Sequence, residues 1–167
     1  QYNYLKTINR FNTLGAWRLV NIEPRPVRGD TVDFNIKLSP ADKYSFNANI
    51  EGSYNQGGSS FLAGNLFGIG LNVGVLNRNS NRSANRANTN IRYGVELNLK
   101  DNFIQTQQVS IGRNIIYPRL RPKMKWLPER LRENGRSSLS LNGAYTDRRP
   151  FYQLTTFNAS WGYDFQW

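Results

Sequence analysis

The chain has 167 residues and a formal net charge of +11, with 22 lysines and arginines against 11 aspartates and glutamates and neither cysteine nor histidine. Disulfides, thiolate and imidazole metal sites, Ser-His-Asp or Cys-His catalysis and the commonest general base near neutral pH are thereby excluded within it, and the scattered carboxylates make no pair suited to acid–base chemistry. An enzyme, a metal site and a cofactor are not expected; anionic partners are, whether nucleic acid, acidic lipid or lipopolysaccharide.

Gln1-Tyr2-Asn3-Tyr4 has no basic and apolar leader, so the sequence reads as a mature product or an internal piece. From residue 3 to 16, Leu5, Ile8 and Phe11 recur at three-residue steps, and Gly15 stands where a helix would stop. Residues 18–23, with Leu19, Val20 and Ile22, predict a short strand, Pro24-Arg25-Pro26 a break, and Arg28-Gly29-Asp30 a turn. In residues 31–38, Val32, Phe34, Ile36 and Leu38 alternate with polar neighbours, as a strand with one buried face must. Residues 1–40 thus amount to the second half of a small α/β unit.

After Pro40 the period stays at two and the segments lengthen. In residues 43–54 Tyr44, Phe46, Ala48, Ile50 and Tyr54 alternate with Lys43, Ser45, Asn47, Asn49 and Glu51. A loop over 55–60 leads to a glycine-rich strand, 61–77, and then to a polar connector, 77–90. Further strands are expected over 91–99, 105–117, 139–145 and 155–167, with a basic, proline-bearing loop at 118–136. Mean hydropathy is −0.63, and no run approaches the roughly 20 apolar residues of a spanning helix. A transmembrane barrel strand needs only about 9–11 residues and shows lipid every second side chain, so it is compatible with that average. A soluble sandwich alternates too; strands well beyond the usual soluble length of about 5–6 residues favour the barrel. The expected fold is mainly β, an antiparallel transmembrane barrel of about six strands over residues 41–167.

Residues 11–22 and 30–38, from Phe11-Asn12-Thr13-Leu14-Gly15-Ala16-Trp17 to Phe34-Asn35-Ile36-Lys37-Leu38, resemble the second half of a POTRA domain, the periplasmic module of the Omp85 superfamily. Lys43-Tyr44-Ser45-Phe46-Asn47-Ala48-Asn49-Ile50 looks like that family's first barrel strand, and Asp147-Arg148-Arg149-Pro150-Phe151-Tyr152 leading into Phe157–Tyr163 is similar to its TamA-like, BamA-related members in the Bacteroidetes. Ser160-x-Gly162-x-x-Phe165-x-Trp167 matches a terminal barrel signal, but six strands are fewer than the eight from which bacterial barrels start, so a piece of a larger barrel is expected. The family's Arg-Gly-Tyr/Phe lid motif is missing, and Arg28-Gly29-Asp30 does not stand in for it.

The resemblance implies an outer-membrane location with the N-terminal segment in the periplasm. It implies insertion of other outer-membrane proteins, with client strands pairing on Lys43 to Ile50. The implied partners are outer-membrane lipid and lipopolysaccharide, nascent outer-membrane proteins, and periplasmic or lipoprotein subunits of an assembly complex. A passive channel or transporter barrel is the first rival, and a basic nucleic-acid-binding β-protein the second, although no nucleic acid is expected because the arginines gather in loops. Strand parity puts 118–136 at the periplasmic end, with Arg119, Arg121, Lys123, Lys125, Arg130, Arg132 and Arg136 as a basic connector, either solvated or facing an acidic partner.

Overall fold

The computed structural model describes residues 2–27, 29, 31–56, 65–98 and 103–165. Expectations for 57–64, 99–102, 166–167, Arg28 and Asp30 fall outside them. A helix, α1 (Tyr2–Leu14), precedes a two-stranded antiparallel sheet of β1 (Trp17–Pro26) and β2 (Val32–Pro40). Gly15 ends α1 at φ +67, a left-handed conformation that costs glycine least. The helix lies on the apolar side of this sheet: the Tyr4 hydroxyl donates to the Ile22 carbonyl at 2.7 Å, and its ring is 6.2 Å from that of Phe34. Among the described residues of 2–40 there are one helix and one hairpin, not a whole POTRA domain.

The break expected at Pro24-Arg25-Pro26 does not occur, because β1 continues to Pro26. Val27 N–H donates to the Thr31 carbonyl, so odd residues of β1 make the hydrogen-bonded pairs and Pro24 and Pro26 fall between them. Their missing N–H groups would have pointed away from β2, where a two-stranded sheet asks for nothing.

The second sheet is a six-stranded meander, β3 (Tyr44–Gln56), β4 (Asn65–Ser80), β5 (Asn85–Asn98), β6 (Phe103–Tyr117), β7 (Gly135–Arg148) and β8 (Tyr152–Phe165), in chain order. A helix, α2 (Glu129–Asn134), precedes β7. The polar connector expected at 77–90 is instead strand on both sides of a turn at 81–84. Pairing needs only backbone groups, which asparagine and arginine supply as well as valine does. Asn79 takes the Ala84 N–H at 3.0 Å, and Asn81, Arg82 and Ala84 adopt positive φ. The fifth and sixth strands likewise start earlier than the side-chain alternation announces.

Each strand alternates across the sheet, and the register aligns the alternations. One face carries rows such as Ala48, Val73, Ile91, Ile111, Gly143 and Phe157. The other carries Asn47, Gly74, Asn90, Gly112, Asn142 and Asn158. The apolar face is open: Phe46 is 76% exposed, Ile50 81% and Phe157 77%. Its apolar band runs obliquely to the rows. On β5 it reaches Val95 and Leu97, whereas the residues level with Val95 on β6, β7 and β8 are Gln107, Asp147 and Gln153, and the band on β8 is displaced toward Trp161 and Phe165. Arg113 is the cation inside this band, level with Thr89 and Leu141. Among the described residues the sheet is not closed: β3 pairs with β4 alone and β8 with β7 alone.

Buried apolar residues are few and sit at the end where β3 begins: Ala16, Ile22, Ala87, Leu120 and Leu127. There Arg18 pairs with Asp42 at 3.1 Å while Arg78 donates to the Asp42 carbonyl and to the Ser45 hydroxyl, linking the helix–hairpin unit to the sheet.

Candidate functional site

The eight residues expected to receive a client strand lie at the start of β3 and the residue before it, and the register divides them. Arg78 N–H donates to the Lys43 carbonyl at 2.8 Å, which makes 43 and 78 a hydrogen-bonded pair. Counting along the ladder, the backbone groups of Ser45, Asn47 and Asn49 also turn to β4. Those of Tyr44, Phe46, Ala48 and Ile50 turn to the open edge. The same four residues carry the apolar side chains, because in a strand the parity that selects the face also selects the edge. Among the described residues the edge therefore presents unpaired N–H and C=O groups flanked by exposed apolar side chains.

On the polar face, a shallow concavity of about 300 Å³ is lined by Asn72, Asn90, Arg92, Ser110, Asn142 and Asn158. Gly74 lies beneath the Asn47 and Asn90 amides, and a Cβ there would collide with both. Arg92 on β5 reaches Glu51 on β3 at 3.0 Å, over the small intervening residues of β4. Small residues under polar ones let the sheet curl toward this side. Amides, the Ser110 hydroxyl and one half-exposed ion pair make this lining polar. No group of three metal-ligating side chains occurs among the described residues.

The basic connector is not one cluster. Arg136 stands in β7 opposite Asp164 of β8, and its parity is that of the polar face. Arg130 and Arg132 belong to α2, the former with its side chain outside the described set. Arg119, Arg121, Lys123 and Lys125 are exposed on a segment that is anchored rather than loose. Arg121 N–H donates to the Ser137 hydroxyl at 2.8 Å, and that hydroxyl donates back to the Arg121 carbonyl at 3.2 Å. Ser137 is 1% exposed and Leu120 is buried against Gly135, where a Cβ would come within 2.9 Å of three Leu120 carbons. Gly135 and Ser137 have the parity of the apolar face, so this segment folds over the end of that face. Sequence reading missed Leu120, Leu127 and Ser137 as anchors; the apolar residues inside a charged loop were the available signal.

No family model matches the chain, and no curated protein matches it. Among solved structures, the crystal structure of BamA from Haemophilus ducreyi lacking POTRA domains 1-3 matches at 13% identity and a TM-score of 0.41, over 98% of this chain and 38% of that one. Similarity at that level carries no argument about function, and the chain spans well under half of the protein it matches. The likeness of residues 147–163 to TamA-like proteins of the Bacteroidetes has no counterpart among these matches.

Proposed function

We propose that this chain is part of the wall of an outer-membrane β-barrel, its helix–hairpin unit on the periplasmic side, and that β3 is the strand on which an incoming client β-strand pairs. The observation that carries the reading is the continuous apolar face, exposed, backed by a polar concave face and oblique to the strand register. Strands tilted across a hydrocarbon slab produce that obliquity, because a level slab cuts each successive tilted strand at a different residue. A soluble sheet would bury such a face against a second layer, and none is present among the described residues.

An assembly role would act through the β3 edge. A strand entering hydrocarbon must satisfy every N–H and C=O, and an edge with matching groups lets it do so by strand addition. The partners are then nascent outer-membrane proteins and membrane lipid. A passive channel would share both faces but seal β3 against a last strand.

The test uses two prolines one residue apart. Ala48→Pro removes an N–H that faces the open edge, whereas Asn47→Pro removes one bonded to β4 and destabilises the sheet by about 1–3 kcal/mol. In cells dependent on the protein, Ala48→Pro is expected to slow assembly of other barrels while the variant itself still reaches the outer membrane. Normal client assembly with Ala48→Pro, at normal levels of the variant, defeats the pairing role.

A further inference from the structure

At the end of the sheet where β3 begins, the apolar face runs into rings and cations. Tyr44, Tyr117, Trp161 and Tyr163 close it: Tyr117 stacks on Trp161 at 5.7 Å, and Trp161 meets Tyr163 edge-on at 6.4 Å. Lys43 Nζ lies 5.2 Å from the centre of the Tyr44 ring, and the Arg121 guanidinium lies 5.3 Å from that of Tyr117. The anchored segment that follows β6 lies over Gly135 and Ser137, on the apolar side, and carries exposed Arg119, Arg121, Lys123, Lys125 and Trp126, the last 81% exposed. None of the ion pairs between described residues involves these four cations.

We propose that this rim is a docking surface for the phosphate head groups of anionic phospholipid, in the leaflet that meets the β3-start end of the sheet. The inference rests on the membrane-wall reading and adds a lipid preference to it. Depth supports it. The cations stand where the apolar band stops, so a bilayer covering the band brings its phosphates level with them, and amphipathic tyrosine and tryptophan rings suit that layer. Arg121 lies over the Tyr117 ring with its backbone pinned to Ser137, so its donors are confined to the rim, where a phosphate oxygen can take them. Trp126 follows Lys125 in the chain and is exposed, and immersion in the head-group layer removes that ring from water. A single-stranded nucleic acid fits less well, because it stacks successive bases on a row of open rings. Trp126 is open, but Tyr117 is covered by Arg121 and Trp161 and Lys43 lies over Tyr44, which interrupts such a row.

The chain has no native cysteine, so Trp126→Cys in the full chain takes one environment-sensitive fluorophore cleanly. The protein is added to vesicles of phosphatidylcholine alone and of phosphatidylcholine with a minor fraction of phosphatidylglycerol, and strand insertion is read separately by protease protection. The expected result is tighter, salt-weakened binding and a larger fluorophore shift with phosphatidylglycerol. The Lys123→Gln/Lys125→Gln pair should reduce that preference on the order of tenfold, with insertion into phosphatidylcholine unchanged, while Lys123→Arg/Lys125→Arg keeps it. Strands inserted but signal equal in both vesicles overturns the inference and leaves the membrane reading standing. Strands uninserted in both overturns the two together. Loss of the preference on adding inorganic phosphate at matched ionic strength, or tighter capture of a single-stranded oligonucleotide or of polyglutamate than of the charged vesicles, overturns it in favour of that anion.

Discussion

The two faces of the six-stranded sheet share their strands, their ladder and their twist, yet they are built for different surroundings. Along β5 the neighbours Val95 and Glu96, or Ile91 and Arg92, differ by one step of chain and by the whole thickness of the sheet. Among the described residues, one side carries an oblique band of Ile, Val, Leu, Phe, Tyr and Trp that includes Arg113, with Gln107, Asp147 and Gln153 beyond it; the other is rich in asparagine, serine and glycine and carries charges such as Glu96, Arg136, Asp164 and the Arg92–Glu51 pair. Alternation by itself permits either face to be the buried one. What separates them is that the apolar residues form a band that runs obliquely to the register, and that the polar face curls inward over small residues.

The strongest way to break that comparison is to put the same charge on both sides. Val95→Arg and Ala159→Arg are expected to cost about 2–4 kcal/mol when the chain folds into bilayers, against little for Glu96→Arg and Asn158→Arg. A folding titration that finds equal costs would remove the basis for assigning lipid to one face. A smaller effect is expected where the apolar face ends. Gly135→Val drives a side chain into Leu120, should cost roughly 1–3 kcal/mol, and should speed tryptic cleavage after Lys123 and Lys125 if the segment is held there as described. Smallest of all is the polar side: Arg92→Ala breaks a pair whose members are both more than half exposed, worth about 0.2–1 kcal/mol, so its thermal unfolding should nearly match the parent's. A large shift there would mean that the polar face is drier than its exposure indicates.

Much of this sheet was legible in advance because alternation is a local property. Residues 43–54, 91–99 and 155–165 announced strands by side chain alone, since each second residue shares a face whatever the strand pairs with. The same logic misread 77–90 and the Pro24-Arg25-Pro26 step. There the strand is held by backbone groups that a polar side chain neither helps nor hinders, and the prolines face the edge of β1 away from β2. The anchoring of the basic segment was not legible for the opposite reason. Its charges dominate the composition, but two leucines and one serine hydroxyl hold it in place.

The amino-acid sequence by itself determined which residues share a face, the absence of cysteine and histidine chemistry, and the excess of positive charge, because all three depend on residue identity and short-range period. Only the tertiary structure decided that β3 and β8 are the edges, that Tyr44, Phe46, Ala48 and Ile50 direct their backbone groups outward, that the apolar band is oblique, and that Arg119 to Lys125 lie at its rim. Each of these depends on which distant backbone groups pair and in what register, and every residue except proline carries the same N–H and C=O with which to pair.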